Sequence, residues 1–165
     1  VSDKKELRKI LKALEEDARR TPQQVATATG IPLDRVKKAV RQAERDRTIV
    51  KYKAIVNWER LAEEQVVALV EVKLTPQRDV GFDALAERIY RFPEARTVYL
   101  MSGAYDLAVL VAGKTMHDVA GFVSQKLAPL DGVQGTATHF LLKRYKEDGE
   151  ILAAEDKPKR QPYMP

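Results

Sequence analysis

No cysteine occurs among these 165 residues. Disulfides, thiolate metal sites and cysteine nucleophiles are thereby excluded, and a reducing compartment suits the chain. Histidine is scarce: His117 and His139 are the only two, and they stand at no metal-ligand spacing. Aromatic residues make up 7% of the chain, with Trp58 the one tryptophan. The strand-like segments are mainly aliphatic, whereas an RNA-stacking platform needs exposed aromatics on central strands. No apolar run approaches the roughly 20 residues that span a bilayer. The leading VSDKKELRKI is charged and has no apolar signal core. The expectation is a cytoplasmic protein with no membrane partner.

Catalytic constellations are missing as well. Ser102 precedes Gly103, but the rest of a G-x-S-x-G elbow is not there. Gly113-Lys114-Thr115 echoes the end of a phosphate loop, yet Ala108 stands where the earlier glycine is required. The chain is expected not to be an enzyme and to carry no cofactor or metal.

What the chain has is 44% hydrophobic residues, enough for a core, and a lopsided charge. Residues 1–60 hold 16 Lys and Arg against 9 Asp and Glu, a balance of +7; the remainder balances at −2. Phosphate binding needs such local positive charge rather than a high overall net charge.

The basic part contains TPQQVATATGIPLDRVKKAVRQAERDRTIVKY, from Thr21 to Tyr52. Thr21 is a helix cap, Pro22 suits a first helical position, and Gln24 completes a capping box. Gly30 allows the left-handed backbone that ends a helix, and Ile31 anchors the turn. Val36, Ala39, Val40 and Ala43 then recur at helical spacing. A further helix from about Asp3 to Glu16 carries Leu7, Ile10, Leu11 and Leu14 on one side. Ile49, Val50 and Tyr52 alternate with polar residues as a wing strand would. This is the pattern of a winged helix-turn-helix, with double-stranded DNA as partner. The residues expected to meet DNA are Leu33, Asp34, Arg35, Lys37, Lys38, Arg41, Arg45, Lys51 and Lys53. The competing reading is an amphipathic helix with a solvated basic face.

The second half alternates between strand and helix signals. Val66–Leu74 is β-branched and apolar, and Pro76 ends it. Phe82, Leu85, Ala86 and Ile89 mark a helix. Strands at Thr97–Met101 and Tyr105–Ala112 join at Ser102-Gly103-Ala104. Met116, Val119, Ala120, Val123 and Leu127 mark a second helix, capped by Thr115 and stopped by Pro129. A last strand is expected over Val133–Tyr145. The order is βαββαβ, so the fold class is α+β with a ferredoxin-like second domain. The expected divisions are 1–60, a DNA-binding domain whose connector carries Trp58 at the domain junction; 61–145, a sensing and oligomerisation domain; and 146–165, an extended or disordered tail ending in Tyr163 and Met164. Both faces of Val66–Val72 and of Leu107–Ala112 are apolar. Helices cover one face of such a sheet, and a second copy of the chain is the simplest cover for the other. A homodimer follows.

This order resembles the leucine-responsive regulatory protein/AsnC family of transcription regulators. The resemblance spans about Leu7 to Tyr145 and rests on the helix-turn-helix, IVKY, YLMSGAYD and GVQGTATHFLLK. YLMSGAYDLAV and NWERL look closest to a bacillus-type branch. Gly103 and Asp106 match the glycine and aspartate of the family's hairpin. The resemblance implies a second domain that senses small molecules, commonly amino acids. It also implies dimers joined through their sheets, assembly up to octamers, and effectors held between dimers near Ser102–Asp106 and the last strand. One departure stands out. Pro32 and Leu33 occupy positions where many members have Ser and Pro, so a side-chain cap is missing there.

A zwitterionic amino acid needs donors for its carboxylate and an acceptor for its ammonium. Ser102, Gly103, Ala104 and Tyr105 offer a hydroxyl and backbone N–H groups, Asp106 a carboxylate, and Leu100 and Met101 an apolar wall. Thr136 and Thr138 share one face of the last strand. These nine are the candidate effector residues, although Asp106 serves equally well as a turn acceptor. Two other readings stay open. One is an architectural DNA-binding protein without an effector. The other is a ferredoxin-like small-molecule-binding domain whose helical module docks on protein or RNA.

Overall fold

The computed structural model describes residues 2–61, 65–75 and 82–153. The chain divides into two compact units, Val1–Val56 and Asn57–Pro165. Pro76 and residues 154–165, with Tyr163 and Met164, lie outside the described residues.

In the first unit, α1 spans Ser2–Glu16, α2 Pro22–Thr29 and α3 Leu33–Arg45. The capping box forms: the Thr21 hydroxyl accepts from the Gln24 N–H at 3.3 Å, and Gln24 Oε1 accepts from the Thr21 N–H at 2.8 Å. Gly30 closes α2 at φ +70°, its N–H donating to the Ala26 carbonyl. Ile10, Ala13, Val25, Ala26, Ile31 and Val36 build the core. Helical period pointed to the leucines of α1, but Leu7, Leu11 and Leu14 are half-buried while the small Ala13 is inside. Close helix contact needs a short side chain there.

The wing differs from expectation. After α3 the chain turns through Arg47, at φ +61°, and the Ile49 N–H donates to the Ala43 carbonyl. Beyond it, residues 50–57 pair with no strand among the described residues, and Val50 and Tyr52 are exposed. Alternation favours an extended backbone, but a strand also needs a neighbour to take its N–H and C=O groups.

The second unit opens with a 3-10 turn at Trp58–Leu61, and Trp58 joins neither hydrophobic core. Then follow β1 Val66–Leu74, α4 Phe82–Tyr90, β2 Ala95–Leu100, β3 Leu107–Gly113, α5 Met116–Phe122 and β4 Val133–Phe140. The sheet is antiparallel in the order β2-β3-β1-β4. Ala68, Val70, Val72, Leu107, Val109 and Val111 face Leu85 and Ile89 of α4 and Val119 and Phe122 of α5. A wide π turn, Val123–Leu127, prolongs α5 and lets Val123 and Leu127 reach the same core.

Two expectations at the end of the domain need correction. β4 stops at Phe140, not Tyr145: the Leu141 N–H still donates to the Val67 carbonyl, and the chain then leaves the ladder. The start of the tail is ordered rather than loose. β5 Lys146–Glu147 and β6 Glu150–Ile151 form a hairpin turned by Asp148 and Gly149, both at positive φ. Asn57 Nδ2 donates to the Leu152 carbonyl at 2.9 Å and ties this hairpin to the start of the unit.

Candidate functional site

At 100° per residue, the buried side of α3 centres on Val36 and Ala43. The opposite side carries Asp34, Lys38, Arg41 and Arg45, flanked by Lys37 and Gln42, all exposed. Such a row of cations reaches phosphates and the acceptor edge of guanine. Asp34 lies in the first turn, where a carboxylate complements the helix dipole. Pro32 gives α3 no side-chain cap, as its chemistry requires.

Two residues expected at DNA sit elsewhere. Leu33 is half-buried and packs on the helical core, because the first residue of α3 shares the side of Val36 and Val40. Arg35 faces α1: its guanidinium lies 3.0 Å from Asp3 Oδ1 and 3.1 Å from Glu6 Oε2. Gln42, four residues after Lys38 and three before Arg45, is exposed on the flank of the same face. Arg45 Nη2 donates to Gln42 Oε1 at 2.9 Å. Lys51 and Lys53 are exposed on the extended segment after α3. That segment is held by the Tyr52 hydroxyl, which donates to Glu44 Oε1 at 3.0 Å. Burial, followed by the Glu44 carboxylate, raises the Tyr52 phenol above its ordinary value.

The β2–β3 hairpin presents Leu100, Met101, Ser102, Gly103 and Ala104 to solvent, with Tyr105 and Asp106 half-buried. Gly103 sits at φ +139°, a backbone that favours glycine. Lys73 Nζ donates to the Ala104 carbonyl at 3.0 Å, steadying the loop from β1. Asp106 Oδ2 accepts the Leu74 N–H at 2.7 Å, and the Asp106 N–H donates to the Val72 carbonyl at 3.0 Å. Of the two duties open to Asp106, that of backbone acceptor is met within the chain.

Thr136 and Thr138 stand opposite Val72 and Val70. Residues opposite one another share a face, so the threonines lie on the helix-bearing side of β4. β1 separates them from the hairpin, a span of about 10 Å for two strand spacings. Within one chain the fold therefore does not bring them to Ser102–Asp106. Alternation assigns a face but not a strand order, so the sequence left open whether the last strand lies near the hairpin of its own chain or that of a symmetry mate.

No helix among the described residues covers the other face of the sheet. Val67, Leu69, Ala108, Leu110, Ala112 and Ala137 give it an apolar centre, with Tyr99 toward one edge. Glu71 and His139 meet there, Nε2 to Oε1 at 3.5 Å. Among the described residues, no group of three or more His, Cys, Asp or Glu is placed to hold a metal, and no helix is long and apolar enough to cross a membrane.

Comparison with known proteins agrees with this geometry. Residues 7–50 match the family model "Winged helix-turn-helix DNA-binding", and residues 67–151 match "Lrp/AsnC ligand binding domain". The HTH-type transcriptional regulator YugG of Bacillus subtilis, itself uncharacterised, is 47% identical over 152 residues, 92% of each chain. The crystal structure of MtbAldR has the same fold, with a TM-score of 0.72 at 22% identity over 86% of this chain and 95% of its own. A transcriptional regulator of Neisseria meningitidis, solved in complex with L-Met, gives 0.68 at 22% identity over 87% and 92%. The relatives are regulators rather than enzymes. With a DNA-binding helix-turn-helix and a ligand-binding ferredoxin-like domain in one polypeptide, this chain belongs to the Lrp/AsnC family of transcriptional regulators.

Proposed function

We propose that this regulator binds particular DNA sequences through the exposed face of α3 and responds to an amino acid or a related small metabolite. Its working form is at least a dimer, joined on the helix-free sheet face. The observation that carries the reading is the pairing, in one chain, of a basic reading helix with a matched ligand-binding domain. The N. meningitidis relative in complex with L-Met makes an amino acid the first class to try. The exposed Ser102–Ala104 turn offers a hydroxyl and backbone N–H groups for a carboxylate, beside the apolar Leu100 and Met101. Thr136 and Thr138 enter such a site only from another copy of the chain.

Thermal denaturation against a panel of amino acids, L-methionine included, tests the sensing role. A ligand of the folded state raises the apparent stability by about 2.7 kcal/mol at a hundred times its Kd. No shift with any of them at millimolar concentration would leave the second reading, an architectural DNA-binding protein without an effector. One observation favours that second reading: Asp106, the anchor expected for an ammonium group, already accepts the Leu74 N–H.

A further inference from the structure

Arg35 belongs to the basic cluster of α3 by sequence, but not by geometry. It lies on the flank of the helix turned toward α1. Its Nη1 donates to Glu6 Oε1 at 3.1 Å, and its Nη2 lies 3.0 Å from Asp3 Oδ1 and 3.1 Å from Glu6 Oε2. Two carboxylates against one guanidinium leave the cluster with a net negative charge, which suits a phosphate poorly. The planar fork of arginine meets carboxylates in a directed way that lysine cannot copy.

The attachment matters because it is polar and directed, whereas the core side of α3 is apolar. Its contacts with the core come from Leu33, Val36, Ala39 and Val40, all aliphatic. Hydrophobic contact is non-directional. Close packing of those side chains seats the helix, and a directed link at its first turn refines the seat. Pro32 adds no side-chain hydrogen bond at the start of the helix. The Arg35 fork is the directed link between the first turn of α3 and the first two turns of α1.

We propose that Arg35 is a positioning residue for DNA reading. By bridging Asp3 and Glu6 it sets the roll of α3, and so the aim of Lys38, Arg41 and Arg45, without itself touching phosphate.

The test uses the full chain and two probes. One is a duplex enriched by the wild type from a random-sequence pool; the other is a scrambled duplex of the same composition. Affinity is measured across a salt series for Arg35→Ala, Arg35→Lys and the Asp3→Asn/Glu6→Gln double variant. Arg35→Ala should weaken the enriched duplex about threefold to fivefold, the scale of exposed ion pairs. The scrambled duplex should change less, and the salt slope should stay as in wild type. Arg35→Lys should behave like Ala despite keeping its charge.

The acidic double variant is decisive by sign. Removing two negative charges would tighten DNA binding if charge alone mattered. Loss of positioning should instead weaken the enriched duplex. Tighter binding by the double variant overturns the proposal. So does a salt slope that falls by about one in Arg35→Ala, the mark of a lost phosphate contact. Should Arg35→Ala fail to fold, the double variant still decides. A wild type that enriches no sequence would remove sequence reading itself, and this role with it.

Discussion

Asp106 shows how one side chain changes meaning between sequence and structure. In the sequence it is a carboxylate in a glycine hairpin. In the fold its Oδ2 takes the Leu74 N–H at 2.7 Å in a partly buried place. Asp106→Ala should therefore cost about 1–3 kcal/mol, since it leaves that N–H without an acceptor. Asp106→Asn keeps a carbonyl oxygen and should cost less. Urea denaturation of both variants separates them; an Ala variant as stable as wild type would remove this bond from the account. For the same reason, Asn rather than Ala is the variant on which effector affinity should be measured. Other carboxylates tie stability to pH. Bonds from the Arg19 N–H, from Thr48 and from Thr115 lower the carboxyls of Asp17, Asp46 and Asp118, and the Lys126 ammonium lowers that of Glu94. A folded value below the unfolded one stabilises the fold above the unfolded pKa and is lost as pH falls through the folded value. Urea midpoints should thus hold steady from neutral pH down to about 5 and drop below about 4. Asp118→Asn should make the acid limb shallower.

At the scale of elements, α3 and the β3–α5 corner make separate claims. Lys38 and Arg41 are exposed on the side of α3 away from its core. Replacing both with Ala should leave the thermal melt unchanged and weaken duplex binding by about 1–3 kcal/mol. The salt slope should fall by about two, one for each phosphate contact. Unchanged affinity would place the DNA site elsewhere. Gly113 ends β3 just ahead of the Thr115 cap of α5. A Cβ there would lie 3.1 Å from Asp118 Cβ and from Val119 Cγ2. Neither atom is the far end of a flexible chain, so Gly113→Ala should shift α5 and cost about 1–3 kcal/mol. An Ala variant that denatures at the wild-type urea concentration would mean that the corner yields freely.

For the whole molecule, the helix-free sheet face is the feature in want of a partner. Leu107 and Val109 both lie under the helices with no exposed surface. A charge there tests folding, not association. Leu110 stands on the open face and is half-buried in the single chain. Leu110→Asp should keep a cooperative melt and shift sedimentation from dimer toward monomer. Val109→Asp should unfold the domain, because it buries an unpaired charge. A wild type that sediments as a monomer at micromolar concentration would defeat the dimer.

By itself the sequence determined what local physics governs. The Thr21 and Thr115 caps, the Gly30 stop, the core spacing of α3 and the βαββαβ order all follow from interactions within a few residues or from the periods of helix and strand. Those signals located β1 to the residue and left β4 five residues too long, because nothing local marks where a strand loses its neighbour. The tertiary structure alone decided which groups meet across long separations. It left IVKY without a strand partner, and it folded 146–151 into a hairpin tied to Asn57. Arg35 turned to Asp3 and Glu6, Asp106 turned to Leu74, and Thr136 and Thr138 went to the helix side of an edge strand. The reason is common to all of them. A side chain's type and period state what it can bind and which face it takes, but its partner is chosen only when distant segments are packed together.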